Sequence, residues 1–209
     1  MTILLIAITA IISILAFNQR EIFEKLQLNP YAVYHKKEWY RIISHGFLHA
    51  DWMHLFINMF VLFSFGSSVE RIFQDLAAQG IIKSPVLSFV ILYFGSMIFA
   101  TVTSIKKNKD NYWYNSVGAS GAVSAIVFTH IFFFPLRAIE LYAIIPIPGI
   151  ILGIAYLAYT QYMIKKGKGK DNVNHDAHFI GAVFGFLFPI LLEPKLINVF
   201  LNQLFSFLN

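Results

Sequence analysis

The chain has 209 residues, of which 57% are hydrophobic and only 13% charged, and its net charge is +5. A soluble domain of this length cannot bury so much apolar surface, so the composition indicates a membrane protein. The sequence contains no cysteine, which excludes thiol catalysis, cysteine–metal sites and disulfides. The positive charge is ordinary for a membrane protein and gives no reason to expect a nucleic-acid partner.

Six stretches of the chain are apolar and long enough to predict membrane spans, because a span needs about 20 mostly apolar residues. They use nearly the whole sequence, which predicts one domain over residues 1–209. The first stretch is alternatively a signal peptide, but it lacks a basic segment before it and a small-x-small cleavage site after it. The predicted spans cover approximately residues 2–18, 52–72, 84–105, 115–135, 143–163 and 177–194.

The segments between the predicted spans carry their own signals. Residues 18–51 mix charged and aromatic side chains, a combination typical of a membrane interface. A connection of this length is expected to form structure of its own. Residues 135–148 are predicted to be a loop, and Pro146 and Pro148 to make the start of the fifth span irregular. The segment 196–208 predicts an amphipathic helix at the interface.

The Lys and Arg residues of the connections are distributed unevenly between the two membrane faces. Twelve lie at the end of the spans where Ser120 is located and four at the opposite end. The positive-inside rule therefore places the Ser120 end in the cytoplasm. The twelve are Arg20, Lys25, Lys36, Lys37, Arg41, Lys106, Lys107, Lys109, Lys165, Lys166, Lys168 and Lys170, and the four are Arg71, Lys83, Arg137 and Lys195.

Ser120 is the candidate nucleophile. It lies in the sequence Gly118-Ala119-Ser120-Gly121 near the start of the fourth predicted span. The two glycines remove side chains on both flanks, which would let a substrate backbone approach the hydroxyl. With a cap at Asn115 or Ser116, Ser120 would lie in the first helical turns, where free amides favour an oxyanion. A serine in a membrane helix commonly bonds only to its own backbone, so the motif alone is weak.

Two other serines compete with Ser120 for this role. Ser116 and Ser124 share its helical face, but neither has glycine neighbours, so Ser120 is the preferred nucleophile.

His178 is the candidate general base. His178, Gly181 and Gly185 follow the spacing i, i+3 and i+7, which places them on one helical face. The Gly181–Gly185 pair lets another backbone come close, and Gly121 with Ala125 offers a matching strip on the serine helix. Such an approach is what a serine–histidine hydrogen bond of about 2.6–3.2 Å requires.

Two neighbours of His178 are not expected to take part. Asp176 is two residues away, so its side chain points elsewhere on a helix. His175 is expected to precede the helix and to be solvated. The sequence therefore predicts a dyad without a carboxylate.

His54 and Asn58 form the third element of the predicted site. Their i, i+4 spacing puts both on one face of an otherwise apolar helix. Polar groups at membrane depth are costly and normally face a wet cavity. Both side chains can donate hydrogen bonds, as an oxyanion hole requires. The alternative is a hydrogen-bonded pair between helices.

Together these motifs resemble the rhomboid family of intramembrane serine proteases. The resemblance covers the whole chain and rests on four motifs in order: His45-x3-His49-x4-His54-x3-Asn58, Gly66-x3-Glu70-Arg71, Gly118-Ala119-Ser120-Gly121 and Ala177-His178-x2-Gly181-x3-Gly185.

The resemblance implies an all-α bundle of six transmembrane helices with a long structured first loop lying partly in the bilayer. It implies Ser120 as nucleophile and His178 as general base, without a cofactor or metal. The oxyanion would be held by the Ser120 amide and the side chains of His54 and Asn58, beside Gly118. Glu70 and Arg71 would anchor the second span.

The resemblance also implies a setting and a substrate class. The chain would be a multi-pass protein of the cell membrane with its site open to the extracytoplasmic face, against the charge distribution. Substrates would be membrane proteins whose transmembrane segments are weakened by Gly, Pro or polar residues, since opening a helix in lipid exposes costly unpaired groups.

The chain departs from the family pattern at three places. The family often has an aromatic residue four positions after the serine, stacked on the histidine, but here that residue is Ser124. The glycine pair after the histidine reads Ile180-Gly181, and the first-loop Trp-Arg pair reads Tyr40-Arg41.

Two other functions fit parts of the sequence. His45, His49 and His54 could ligate a metal in a membrane metalloenzyme or transporter, although no His-Glu-x-x-His sequence is present. A rhomboid-like protein that binds substrates without cleaving them is the third interpretation. Chelation and a turnover assay separate these from a serine enzyme.

Overall fold

A computed structural model of the chain describes residues 1–141, 145–167 and 173–206, and it is mostly helical. The helices are α1 (Thr2–Asn18), α2 (Arg20–Leu26), α3 (Pro30–His35), α4 (Arg41–Ser44), a 3-10 turn (His45–Phe47), α5 (Trp52–Ala78), α6 (Pro85–Asn108), α7 (Ser120–Phe133), α8 (Gly149–Lys166), α9 (His175–Leu192) and α10 (Leu196–Leu204). Two strands, β1 (Ala138–Leu141) and β2 (Ile145–Pro148), lie between α7 and α8.

Three helices of the described ranges, α5, α6 and α9, are long and apolar enough to cross a membrane. Helices α1 and α7 are apolar but shorter. These helices, with α8, occupy the six stretches predicted from the sequence, while the count of six membrane spans stays a prediction.

The fourth predicted span begins later than expected. Helix α7 starts at Ser120 and follows Ala119, which makes no side-chain cap. Ser116 cannot begin a helix because its backbone N–H and its carbonyl are both hydrogen-bonded to the backbone of Leu28, each at 3.0 Å. The expected cap at Asn115 or Ser116 is therefore wrong, and Ser120 is the first helical residue.

The region before α8 is also more ordered than predicted. Strands β1 and β2 pair antiparallel, with Ala138 opposite Pro148 and Leu141 opposite Ile145. Proline has no backbone N–H to donate to the hydrogen bonds between strands, so it is found on edge strands. Both strands of a two-stranded sheet are edge strands, and β2 can therefore contain Pro146 and Pro148. Of the fifth predicted span, residues 143–144 lie outside the described ranges, Ile145–Pro148 form β2, and helix α8 starts at Gly149. The predicted last helix corresponds to α10, and its residues 207–208 also lie outside the described ranges.

Helix α7 is buried on nearly all sides and packs most closely on α9. A Cβ atom on Gly181 would overlap the carbonyl oxygen of Gly121, and one on Gly185 would overlap that of Ala125. Thr129 adds a 2.8 Å hydrogen bond from its hydroxyl to the Gly185 carbonyl. The predicted contact between the two small-residue strips is confirmed, and it sets the first turns of α7 and α9 side by side.

Helix α1 is attached to α5 by the Gly66-x3-Glu70 motif. The Thr2 amide donates to Glu70 Oε1 over 3.0 Å, and a Cβ on Gly66 would come within 2.8 Å of Thr2 Oγ1. Arg71 points elsewhere and lines a cavity of about 370 Å³ at the far end of α5 from Ser120.

The segment before α5 contains α2, α3 and α4, connected through Arg41. The Arg41 guanidinium donates to the carbonyls of Glu24 and Gln27, each over 2.8 Å, and pairs with the Glu38 carboxylate at 2.5 Å. The Arg41 hydrogen bond lowers the pKa of Glu38 below its ordinary value. Asn29 caps α3 and donates to the carbonyl of Tyr112 over 2.9 Å, so this segment is tied to the residues that precede Ser120.

Candidate active site

The hydroxyl of Ser120 and the imidazole of His178 form the centre of the site. Ser120 Oγ and His178 Nε2 are 2.7 Å apart, within the range of a good hydrogen bond. Ser120 is the first residue of α7, and His178 lies in the first turn of α9. The glycine-mediated contact between the two helices brings these groups together from positions 58 residues apart.

The start of α9 is fixed by Asn174. Its Oδ1 atom accepts from the Ala177 amide over 3.1 Å, which satisfies one of the free amides of the helix. Its Nδ2 group donates to Ser104 Oγ over 2.8 Å and so connects α9 to α6. His175 is the first helical residue and only 8% exposed, so the expectation of a solvated His175 before the helix is wrong.

Among the described residues, which do not include Asp171, no carboxylate contacts His178. Asp176 forms an ion pair with Lys107, with Nζ–O distances of 2.8 and 2.9 Å. Within the described ranges, Nδ1 of His178 has no hydrogen-bond partner. In the part of the chain that the structure describes, Ser120 and His178 therefore form a pair without a third hydrogen-bonded member.

The backbone at Ser120 offers unpaired donors. The first amides of a helix have no acceptor within it, and α7 has no side-chain cap. The Gly118 amide is used, because it donates to the carbonyl of His45 over 3.0 Å. The amides of Ser120 and the next two residues make no hydrogen bond to the described part of the chain. Negative charge that develops beside Ser120 would meet these amides and the positive end of the helix dipole.

The glycines around Ser120 make room for protein groups. Gly118 has a φ of +119°, and a Cβ there would come within 2.8 Å of Cε1 and 3.0 Å of Nε2 of His54. A Cβ on Gly121 would meet Ala100 Cβ at 3.1 Å and the carbonyl of Ala177 at 3.3 Å. The two glycines therefore admit the His54 ring and the neighbouring helices, while the expectation that they let a substrate backbone approach Ser120 stays a prediction.

His54 presents its Nε2 side to Gly118. Its Nδ1 atom accepts from the Ala50 amide over 3.4 Å, so in the neutral ring the proton is on Nε2. Asp51 caps α5 by accepting from the His54 amide over 2.8 Å, which holds the residue at the helix start. The ring is thus a hydrogen-bond donor directed at the backbone beside Ser120.

Asn58 lies one turn further along α5 and is buried. Its Nδ2 group donates to the carbonyl of His54 over 2.9 Å, a bond within its own helix. The alternative interpretation of the sequence was a hydrogen-bonded pair between two helices, and this bond lies within one helix. The second N–H of the amide group remains for another acceptor.

One cavity joins these groups. It has a volume of about 1200 Å³, and its lining includes Ser120, His178, His54, Asn58 and Gly118. The structure therefore brings together all five residues that the sequence indicated.

The histidines of the metal interpretation serve other contacts. His45 Nδ1 lies 2.9 Å from the Arg41 carbonyl, and His49 Nδ1 lies 3.0 Å from Ser13 Oγ. Burial lowers the pKa of His45 to about 4 and that of His49 to about 3. The described part of the chain contains no group of three or more His, Cys, Asp or Glu side chains that could hold a metal ion.

One residue near His178 was missed in the sequence. The Tyr156 ring, from α8, lies nearly parallel to the His178 ring, with centroids 6.4 Å apart and an interplanar angle of 16°. Its hydroxyl is 2.9 Å from Ser124 Oγ. The available signal was Ser124 itself, since a serine where the family often has an aromatic residue leaves space beside the histidine.

Comparison with known proteins gives the same family as the motifs. The Rhomboid domain model matches residues 36–195. Among curated proteins, "RHOMBOID-like protein 12, mitochondrial" from Arabidopsis thaliana is 30% identical over 145 residues, which are 68% of this chain and 43% of the plant protein. The "Putative rhomboid protease YdcA" from Bacillus subtilis (strain 168) is 28% identical over 159 residues, 76% of this chain and 69% of that protein.

The chain belongs to the rhomboid family. Its apolar helices agree with a membrane protein. The region matched in the plant relative is less than half of that protein.

Proposed function

We propose that this chain is an intramembrane serine endopeptidase that uses Ser120 as nucleophile and His178 as general base, within one domain over residues 1–209. The observation that carries the proposal is the 2.7 Å contact between Ser120 Oγ and His178 Nε2 in a large cavity at the start of α7. A hydroxyl needs an adjacent base to become a useful nucleophile at neutral pH.

In the first half of the reaction, Ser120 Oγ attacks the carbonyl carbon of a substrate peptide bond while His178 Nε2 accepts the hydroxyl proton. The carbonyl electron pair moves to oxygen and forms a tetrahedral oxyanion. When the intermediate collapses, the carbon–nitrogen bond breaks and His178 gives its proton to the leaving amine. An ester between Ser120 and the acyl half of the substrate remains.

The second half repeats these steps with water. His178 accepts a proton from water as the oxygen attacks the ester, and then returns a proton to Ser120 Oγ. The products are a carboxylic acid and the free hydroxyl.

Three donors stabilise the oxyanion in this proposal: the Ser120 amide, His54 Nε2 and Asn58 Nδ2. The amide belongs to an uncapped helix start, and His54 carries its proton on the side facing Gly118. Each donor acts mainly in the transition state, when the negative charge exists.

The reaction takes place below the membrane surface. Helix α7 has 14 residues, about 21 Å at 1.5 Å per residue, whereas a bilayer core is about 30 Å thick. A substrate helix must therefore expose an extended segment at the depth of Ser120. Segments weakened by Gly, Pro or polar residues open at lower cost, because unpaired amides are expensive in lipid.

In our proposal the chain crosses the cell membrane six times, with the Ser120 end on the extracytoplasmic side. The excess of cations at that end runs against the positive-inside rule, and Lys168 and Lys170 of that set lie outside the described residues. Part of the excess lies on aromatic rings, with Nζ of Lys37 and Lys109 at 5.3 and 4.9 Å from the Tyr34 ring centre. Because the chain has no cysteine, a Lys109→Cys variant tests the orientation. An impermeant maleimide should label it from outside intact cells, and labelling only after lysis would reverse the orientation.

The deciding experiment is cleavage of a library of transmembrane segments by purified protein in liposomes, comparing wild type with Ser120→Ala. We expect cleavage by wild type, with and without EDTA, and none by the variant. Equal cleavage by the variant would refute the serine mechanism, and loss on chelation that zinc restores would favour the metal interpretation. No cleavage by wild type of any segment would favour the inactive binding protein.

The substrate preference has its own test. Replacing the Gly or Pro of a cleaved segment by leucine should slow turnover, whereas an unbroken poly-leucine helix cut at the same rate would show that helix opening does not limit cleavage.

A further inference from the structure

His178 has few polar contacts to fix its orientation. Nε2 contacts Ser120, and Nδ1 has no hydrogen-bond partner among the described residues. With a hydrogen bond on only one side, the imidazole can rotate away from the serine at little cost. The plane of the ring must then be set by the groups that pack against its faces and edges.

Two rings supply these packing contacts. The Tyr156 ring lies nearly parallel to His178, at a centroid distance of 6.4 Å and an angle of 16°, within the range of offset aromatic pairs. The His175 ring meets His178 edge-on, at 6.2 Å and 76°. A rotation of His178 about its Cβ–Cγ bond would break the parallel arrangement with Tyr156.

Tyr156 is itself held firmly against α7. Its hydroxyl is 2.9 Å from Ser124 Oγ, and its ring lies 5.7 Å from that of Phe128. Gly153, one turn earlier on α8, faces the same surface, since a Cβ there would meet Ile131 Cδ1 at 3.3 Å and Phe128 Cε1 at 3.4 Å. Because Ser120, Ser124 and Phe128 follow one another at i, i+4 and i+8, Tyr156 lies along the face of α7 that begins with the candidate nucleophile.

We propose that Tyr156 is a positioning residue, which holds the His178 ring in the plane from which Nε2 reaches Ser120. Its ring, supplied by α8, occupies the place that the serine at position 124 leaves open on α7. Tyr156 acts through His178 and takes no part in bond making. This proposal rests on the serine–histidine mechanism proposed above.

The test uses the rate at which a small β-lactam-type acylating agent acylates Ser120, together with the final labelled fraction. A small reagent avoids the binding of a transmembrane substrate. A variant that is partly unfolded lowers the final labelled fraction, whereas a variant that misplaces His178 lowers the rate constant for each competent site.

Three variants separate the ring from the hydroxyl and from the helix. Tyr156→Leu removes the ring, Tyr156→Phe keeps it, and Tyr162→Leu makes the same change at an exposed position of α8. We expect acylation of the leucine variant to be about 10- to 100-fold slower, as a displaced catalytic group would cause. We expect the phenylalanine variant to be within about threefold of wild type, and the Tyr162 control to be unchanged. kcat should fall with the acylation rate while KM stays the same. If the leucine variant does not fold, Tyr156→Met replaces it.

A rescue provides the sharpest outcome. In the double variant Tyr156→Leu with Ser124→Tyr, the ring returns from α7 into the space that Tyr156 vacated, and we expect the acylation rate to recover. A wild-type rate in Tyr156→Leu, or a folded double variant as slow as the single one, would overturn the proposal. Neither result would contradict the proposed function. That function is refuted only if the wild-type protein lacks acylation and cleavage that depend on Ser120.

Discussion

Three serine–histidine hydrogen bonds occur in the described part of the chain, and only one has the surroundings of a catalytic pair. Ser13 lies 3.0 Å from His49, Ser68 lies 3.0 Å from His130, and Ser120 lies 2.7 Å from His178. The first two pairs contact Nδ1 of the imidazole, whereas Ser120 contacts Nε2. A short distance between serine and histidine therefore does not identify a nucleophile by itself.

The surroundings account for the difference. The Ser13 hydroxyl donates to the carbonyl of Phe47 over 2.8 Å, so its proton is already committed and the histidine must donate to it. Both residues of that pair are fully buried. Ser68 lies in the middle of α5, where the backbone amides are used by the helix. Ser120 alone of the three combines a helix start, unpaired amides and the 1200 Å³ cavity.

The largest expected effect comes from removing the proposed nucleophile. Ser120→Ala should lower kcat/KM by at least about 10⁴-fold, as the loss of a catalytic serine does elsewhere, and should leave the fold intact because one small residue replaces another. The matched control is Ser68→Ala, which removes the hydroxyl of the other half-buried pair and should leave cleavage unchanged. Comparable losses in the two variants, measured with one transmembrane substrate, would contradict the distinction drawn between the pairs.

Substitutions of the two histidines, His178 and His130, should differ in their effects as those of the two serines do. His178→Ala should lose as much activity as Ser120→Ala, and the double variant should be no worse than either, because nucleophile and base act as a unit. His130→Ala should lower the free energy of unfolding by about 1–3 kcal/mol, through loss of a buried hydrogen bond, while the folded fraction retains its kcat. Multiplicative losses in the Ser120 and His178 double variant would disprove the dyad.

A smaller effect is expected at the oxyanion donors. His54→Ala and Asn58→Ala should each reduce kcat by about 10²-fold with little change in KM, because the charge that they stabilise exists only in the transition state. Asn58→Asp provides a further contrast, since it keeps the size of the side chain and loses the donor. Steady-state kinetics on a single substrate measure both constants. A change confined to KM would mark Asn58 as a packing or substrate-binding residue.

The smallest expected effect concerns the pH response of a buried pair. Burial lowers the pKa of His49 to about 3, so below its ordinary value of 6.5 the unfolded chain binds a proton that the folded chain excludes. Its contribution is present in full above pH 6.5 and is lost progressively as the pH falls from there towards 3. At pH 5 the loss is about 2 kcal/mol.

Thermal unfolding in detergent at pH 7.5 and pH 5 measures this effect. His49→Asn, which can still donate to Ser13, should show a smaller decrease between the two pH values than wild type. An unchanged pH response in His49→Asn would show that His49 does not titrate as its burial requires.

The sequence predicted those features that depend on local pattern. The apolar runs marked the helices, and the Gly181 and Gly185 spacing predicted the contact with Gly121 and Ala125 that brings α7 and α9 together. The five residues indicated for the site line one cavity for the same reason, since their elements meet at the start of α7.

Features that depend on distant partners were not predictable. The start of α7 is delayed because Ser116 pairs with Leu28, 88 residues earlier, which no local pattern shows. Tyr156 was missed because nothing in its neighbourhood on α8 points to His178, and the burial of His175 depends on the packing of α9. The role of Gly118 likewise follows from the His54 ring, which reaches it from α5.

The most direct test of the account is to locate the serine that becomes acylated. Purified protein treated with a β-lactam-type acylating agent should carry one adduct, on Ser120 by peptide mass spectrometry, and the adduct should be absent in His178→Ala but present in His130→Ala. An adduct on Ser13, Ser68 or Ser124, or Ser120 labelling that persists at the wild-type rate without His178, would contradict the central claim that the surroundings of the Ser120–His178 pair make it the catalytic one.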